Sequence, residues 1–260
     1  MENYQTIKAE IKEHVATLWL SRSEVHNALN DIIIREISSF FTRIEDNTEL
    51  RIVVIRGSGK SFCSGADLLW MKKSFTLSES ENLKESTELS EMFRVIFNSS
   101  KIVIAAIHGN VFGGGIGLVA VCDLAYCQAD SRFSLSETRI GMAAASITPY
   151  LLLKVQAAAL KELIFTARSF TGEEAYKYQL VNQSFASSNE MELHLKGVIA
   201  QILSNSRMAI MESKKLINQL TEKLVADNKE QIPELLARIR VSPEAQEGFS
   251  AFLEKRKPKW

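Results

Sequence analysis

Hydrophobic positions change period along this chain, and the changes mark its elements. Residues 5–20 alternate around a polar break at Lys12-Glu13-His14, a hairpin pattern with Ile7, Ile11, Val15, Thr17 and Trp19 expected on one face. From 28 to 44 the spacing turns helical through Ile33, Ile37, Phe40, Phe41 and Ile44. Residues 51–56 and 102–107 are short β-branched runs that read as buried strands, with further strands expected at 123–127 and 132–135. The Ser-, Glu- and Thr-rich residues 74–90 predict an exposed, mobile segment that tightens into a helix ending near Phe97. From Ile147 onward the pattern is almost wholly helical, with long helices near 190–204, 207–224, 229–240 and 243–256. Pro149, Pro233 and Pro243 fall where first turns begin. Alternating strands and helices followed by helices alone predict an α/β core over 1–200 and a helical region over 201–260.

One stretch organises the rest. After the strand at 102–107 the chain breaks at His108-Gly109-Asn110, then carries three glycines, Gly113 to Gly115. Residues 116–121 are apolar all round and read as a buried helix. Strand, glycine turn and buried helix leave the free N–H groups of a helix first turn inside the protein. Glycines there keep no side chain between a ligand and the backbone. Such a device serves a phosphate or a developing oxyanion, or is simply a tight packing corner. A second glycine-bearing loop, Ser64-Gly65-Ala66-Asp67, also follows a strand. Glu137 lies between the apolar segments 133–135 and 140–145. Buried there, its carboxyl would have a raised pKa suited to acid–base work; a helix cap or an ion pair is the structural alternative.

Charge removes several function classes. In 260 residues, Lys plus Arg and Asp plus Glu both number 31, so the net charge is zero, and no long basic or acidic block argues for nucleic acid or a membrane surface. No apolar run reaches the roughly 18–20 residues of a membrane span, and Met1-Glu2-Asn3-Tyr4 lacks a signal-peptide layout. Cys63, Cys122 and Cys127 make no CxxC and cannot all pair, which predicts a reducing, cytoplasmic setting; four scattered histidines give no metal-ligand spacing. Gly57-Ser58-Gly59-Lys60-Ser61 imitates the end of a P-loop, but position 54, where that motif needs glycine, is Val within the strand. No G-x-S-x-G nucleophile elbow is present.

Phe62-Cys63-Ser64-Gly65-Ala66-Asp67-Leu68, Gly109-Asn110-Val111-Phe112-Gly113-Gly114-Gly115, Cys122-Asp123-Leu124, and Phe133-Ser134-Leu135-Ser136-Glu137 with Gly141 resemble the crotonase (enoyl-CoA hydratase/isomerase) family. The resemblance continues to the closing Ala251-Phe252-Leu253-Glu254-Lys255-Arg256-Lys257. It implies an α/β fold, a spiral of ββα units with a C-terminal helical trimerisation region. It also implies an acyl-CoA thioester substrate, coenzyme A being part of the substrate rather than a cofactor, no metal, and a homotrimer or dimer of trimers. The amides of Ala66 and Gly114 would form the oxyanion hole and Glu137 would act as acid and base. Ser64, Gly65, Asp67, Leu68 and Gly113 would surround coenzyme A and the substrate, with Ser64 and Leu68 near the adenine. Lys255 would reach the phosphates of a neighbouring subunit's ligand, a solvated tail lysine being the alternative.

The chain departs from that family at two places: Met142-Ala143-Ala144-Ala145 replaces a Gly-rich turn, and the other departure matters more. Typical hydratases carry two glutamates, and the first of them falls on Gly117 here. One carboxyl suffices for moving a double bond, by taking a proton from one carbon and returning it to another; hydration needs the same group to serve water and the α-carbon in turn. The finer pattern, Asp67-Leu68-Leu69-Trp70-Met71-Lys72, Ser136-Glu137-Thr138-Arg139-Ile140-Gly141 and Ser146-Ile147-Thr148-Pro149-Tyr150, is similar to bacterial methylglutaconyl-CoA hydratase-like enzymes, in which Gly at this position is familiar. The resemblance therefore implies a 2-enoyl-CoA hydratase, with 3-methylglutaconyl-CoA of branched-chain catabolism as candidate substrate. A Δ3,Δ2-enoyl-CoA isomerase and a non-catalytic acyl-CoA-binding protein are the rivals. A distal carboxylate would need a cation, and Arg139 is the candidate if 137–139 is extended, since alternate residues then face one way.

Overall fold

The computed structural model describes residues 4–221 and 231–259, apart from the Gln231 side chain. The ends of two expected helices, at 222–224 and 229–230, and residues 1–3 of the N-terminal segment lie outside the described residues.

The hairpin forms as β1 (Ile7–Lys12) and β2 (Val15–Leu20), antiparallel with Ile7 opposite Leu20. Its inward face is the reverse of the expected one along β2. Ala16, Leu18 and Leu20 are buried, Val15, Thr17 and Trp19 are half-buried, and Ile11 is exposed. Both faces of β2 carry apolar groups, so alternation alone left the register open, and a shift of one residue exchanges the faces. Trp19 is instead covered by the Arg56 guanidinium, 5.5 Å from the ring centre.

Strands β3 (Ile52–Gly57), β4 (Ile102–Ile107), β6 (Leu124–Gln128) and β9 (Gln183–Phe185) extend the sheet in the order β1-β2-β3-β4-β6-β9, parallel from β2 onward. β3 and β4 are buried on both faces. Val53, Ile55, Val103, Ala105 and Ile107 join the larger core with α1 (Asp31–Ile44) and α3 (Glu79–Phe97); Ile52, Val54, Ile104 and Ala106 join a smaller one under α8 (Ser188–Ser204). This two-sided burial explains why these strands read as continuous apolar runs.

The polar stretch at 74–90 is mostly helix, and that helix ends at Phe97 as expected. α2 (Leu68–Ser74) ends there and α3 starts at Glu79, where the Ser78 side chain accepts from the Glu81 amide and Glu81 reaches back to the Ser78 amide. That capping box fixes the start; most of the polar residues form the helix's outer face, while Asn82 and Ser86 are buried.

Between β4 and β6 lie β5 (Asn110–Phe112) and α4 (Gly114–Val121); after β6 comes β7 (Arg132–Ser134). β5, β7 and the two-residue β8 (Phe170–Thr171) make a separate small sheet. β8 and the three-residue β9 are too short to leave a periodic signal. Helices α5 (Thr148–Leu152), α6 (Ala157–Thr166) and α7 (Gly172–Lys177) follow, then α8, α9 (Arg207–Thr221), α10 (Gln231–Arg240) and α11 (Pro243–Leu253). Lys214 ties α9 to the sheet, donating to Asp123 Oδ2 at 2.7 Å and to the Lys101 carbonyl at 2.8 Å. Among the described residues no helix is long and apolar enough to cross a membrane. The three cysteines are free and buried.

Candidate active site

Registers in the two sheets bring three distant segments together. The parallel pairing of β5 with β7 sets Phe112 opposite Ser134, so the residues just past each strand, Gly113-Gly114 and Ser136-Glu137, emerge side by side. A parallel bridge sets Cys63 opposite Val111. The Cys63 amide donates to the Asn110 carbonyl (3.2 Å), and the Phe112 amide donates to the Cys63 carbonyl (3.0 Å). This lays Ser64-Gly65-Ala66 along the same edge. A second bridge, Leu29 with Ala66, holds the loop from its other side.

Gly113 is the turn. Its φ of 48° and ψ of −118° lie in a region open to glycine, and it precedes α4 as N-cap. A Cβ at this position would stand 3.3 Å from Glu137 Oε1 and 3.9 Å from the Gly65 Cα, which measures how closely the three segments meet. Past it, the amide of Gly114 is the first of α4 and has no intrahelical partner. Among the described residues neither the Gly114 nor the Ala66 amide finds an acceptor. Ala66, Gly114 and Glu137 line one cavity.

Glu137 opens a 3₁₀ turn, Glu137–Ile140. The turn is held on one side by Thr138, whose hydroxyl donates to the Ile164 carbonyl at 2.9 Å. On the other side, a Cβ on Gly141 would lie 2.6 Å from the Glu244 carbonyl of α11. The Glu137 Oε2 is enclosed and has no hydrogen-bond partner among the described residues. Burial pushes the carboxyl up to about 7, its own backbone amide pulling weakly the other way. A group poised there exchanges a proton near neutral pH in either direction.

The same turn corrects the placement of Arg139. With roughly three residues per turn, positions 137 and 140 share a face while 139 points away. Ile140 lines the cavity; Arg139 is exposed and does not. Lys72 and Lys73 are exposed as well. The cation in the cavity wall is Arg240, from the end of α10, with its side chain only 9% exposed. Its sequence signal was one of two arginines on its helix, the other being Arg238, so nothing in the sequence singled it out.

Other candidates lie outside the cavity. Asp67 is committed within the protein: it accepts from Arg22 Nη2 at 2.7 Å and caps α2 through the amides of Leu69 and Trp70. Its carboxyl is held below the usual range by those donors, against the opposing pull of burial. Ser64 is half-buried and Leu68 exposed beside Ala66, which is itself open to solvent. Lys255 is exposed near the C-terminus, just past α11.

Position 117 is closed. A Cβ on Gly117 would fall 2.3 Å from Ile147 Cγ2 and 2.7 Å from the Phe93 ring, both residues that also line the cavity. The volume a glutamate would use is packed with hydrocarbon.

A family model described as Enoyl-CoA hydratase/isomerase matches residues 10–260. The chain belongs to the enoyl-CoA hydratase/isomerase family. Among its relatives is the rat mitochondrial Delta(3,5)-Delta(2,4)-dienoyl-CoA isomerase, 34% identical, covering 82% of this chain and 68% of the isomerase. Another is the crotonyl-CoA hydratase of Syntrophomonas wolfei, 30% identical over 98% of this chain and 97% of the hydratase. An enoyl-CoA hydratase crystal structure from Mycobacterium avium superposes with a TM-score of 0.88 at 29% identity, covering all of both chains. The α/β architecture is thus that of the enoyl-CoA hydratase/isomerase family, whose named members here include both a hydratase and isomerases.

Titration of Glu137 has two expected consequences. If the ionised form takes the first proton, kcat/KM rises with pH through about 7, and the limb vanishes in Glu137→Gln. Stability moves the other way. The folded pKa lies above the usual 4.5, so below that value both folded and unfolded states hold the proton and burial carries no penalty. As pH rises from about 4.5 to 7 only the unfolded chain releases it, and the folded state loses roughly 3 kcal/mol across that window. Chemical denaturation of wild type and Glu137→Gln at pH 4.5 and 7.5 reads this directly: the variant's relative stability increases at the higher pH.

Proposed function

We propose that this protein adds water across the double bond of a 2-enoyl-CoA thioester, with Glu137 as its single acid and base. One observation carries the reading: a carboxyl protonatable near neutrality lines the same cavity as two backbone amides that have no acceptor among the described residues. The thioester oxygen would accept from the Ala66 and Gly114 amides. As charge moves onto that oxygen, each donor lowers the barrier by about 2.7–4 kcal/mol in comparable sites. Ionised Glu137 would take a proton from water as its oxygen bonds to the β-carbon. It would then return that proton to the α-carbon as the enolate collapses, a syn addition. The finer motif pattern supports 3-methylglutaconyl-CoA as substrate.

A second reading has its own support. Gly117 is packed shut by Phe93 and Ile147, which leaves no carboxylate at that position to orient water. A single base is then enough for moving a 3-enoyl double bond to the 2-position, with Glu137 carrying a proton from the α- to the γ-carbon. The assay separates the two: hydration removes the absorbance of a conjugated 2-enoyl thioester, whereas isomerisation of a 3-enoyl-CoA creates it. Loss of absorbance on 2-enoyl-CoA at steady turnover is expected. Turnover confined to 3-enoyl-CoA would favour the isomerase, and acyl-CoA binding without any turnover would overturn both.

We propose further that the protein assembles as a trimer or dimer of trimers, with Lys255 reaching a neighbour's coenzyme A phosphates. Light scattering showing a monomer at micromolar concentration would contradict this.

A further inference from the structure

Arg240 is hard to account for in a pocket meant for a plain hydrocarbon chain. The cavity around it is built from Trp70, Leu236, Ala143 and similar apolar groups. Burying a guanidinium among them carries a desolvation cost, and a hydrophobic residue of similar volume would pack there at no such cost. The local fold nevertheless holds the arginine firmly in place. The guanidinium stands over the Trp70 ring, 5.5 Å from its centre. Glu85 faces it at 3.5 Å, and Glu85 is itself held by the Trp70 indole N–H (3.1 Å) and the Ser74 hydroxyl. The Arg240 carbonyl accepts from Gln246 Nε2 at 3.1 Å, and the same side chain donates to the Phe75 carbonyl at 3.2 Å, which joins α10 to the end of α2.

The guanidinium is held but not saturated. It has five N–H donors in a planar fork. Among the described residues only Nη1 has acceptors, Glu85 and Asn82, both at the long distance of 3.5 Å. Neither contact is the paired, short geometry that arginine makes with a fully engaged carboxylate, near 2.7–2.9 Å. The other donors belong to a side chain that lines the cavity holding Ala66, Gly114 and Glu137.

We infer that Arg240 recognises a carboxylate at the far end of the substrate's acyl chain, making this site selective for enoyl-CoA thioesters of dicarboxylic acids. The inference rests on the reading of this cavity as the acyl pocket. Trp70 and Glu85 position the fork, and the incoming carboxylate supplies the short, charge-assisted acceptors that the described residues do not.

The test is a binding comparison that does not depend on turnover. Glutaryl-CoA and adipyl-CoA are titrated calorimetrically against valeryl-CoA and hexanoyl-CoA, which have the same acyl lengths and a terminal methyl. The wild-type protein is expected to bind the carboxylated member at least ten-fold more tightly for one of the two lengths. Arg240→Met is expected to bring that ratio to about one or below while leaving the affinity for the methyl-terminated ligand within a few-fold. Arg240→Lys retains part of the preference. Equal wild-type affinities within both pairs, or an unchanged ratio in Arg240→Met, would overturn the inference. The wild-type comparison decides even if the methionine variant fails to fold. Failure of every enoyl-CoA to turn over would sink the proposed reaction but leave this comparison readable.

Discussion

Replacing Glu137 by Gln is expected to reduce kcat by about 10³-fold or more while changing acyl-CoA affinity only a few-fold. The size follows from what the residue alone can supply. It is the carboxyl that lines the cavity together with the Ala66 and Gly114 amides, and positioned proton transfer is worth roughly 10²–10⁴-fold. Glutamine keeps the shape and loses the exchangeable proton. Among the described residues Oε2 has no partner to lose, so the substitution breaks no hydrogen bond at that atom. Folding should be intact and the protein more stable at neutral pH, since a buried charge is gone. Rates on enoyl-CoA with parallel binding titrations check both halves. Turnover within ten-fold of wild type would remove Glu137 from the reaction.

Installing the second glutamate is expected to fail as a gain of function. In Gly117→Glu the new Cβ meets Ile147 at 2.3 Å and Phe93 at 2.7 Å before the rest of the side chain is placed. Overpacking and an unpaired buried carboxyl together should cost about 3 kcal/mol or more. For a chain of this length that lowers Tm by roughly 6–12 °C, with no rise in hydration rate. Thermal unfolding and the absorbance assay measure the two effects. A variant as stable as wild type, or one that hydrates faster, would show that position 117 tolerates the second carboxylate and that Phe93 and Ile147 yield.

Much of this site was legible before the fold was known, because its parts are backbone features with composition signatures. Three consecutive glycines after a β-branched run marked the α4 turn, and Ser64-Gly65-Ala66-Asp67 marked the loop that joins it. What the sequence could not carry was direction. Whether residues 137 and 139 share a face depends on an extended or a 3₁₀ backbone, and the apolar neighbours fit either. The same ambiguity reversed the face of β2, whose two sides are both apolar. Arg240 was invisible for another reason. It reaches the cavity because α10 packs on α3 and α11 locks against the turn at Gly141, both contacts between segments distant in sequence. Short ladders such as β8 and β9 exist through their neighbours in the sheet and leave no local pattern.

In the proposed reaction the amides of residues 66 and 114 act on one thioester oxygen beside Glu137. A crystal structure of the protein with a saturated acyl-CoA bound tests it most directly. The thioester oxygen should lie about 2.7–3.1 Å from both nitrogens, with the α-carbon facing the Glu137 carboxyl. An acyl-CoA seated with its carbonyl oxygen away from either amide, or with residue 137 turned from the α-carbon, would contradict the account.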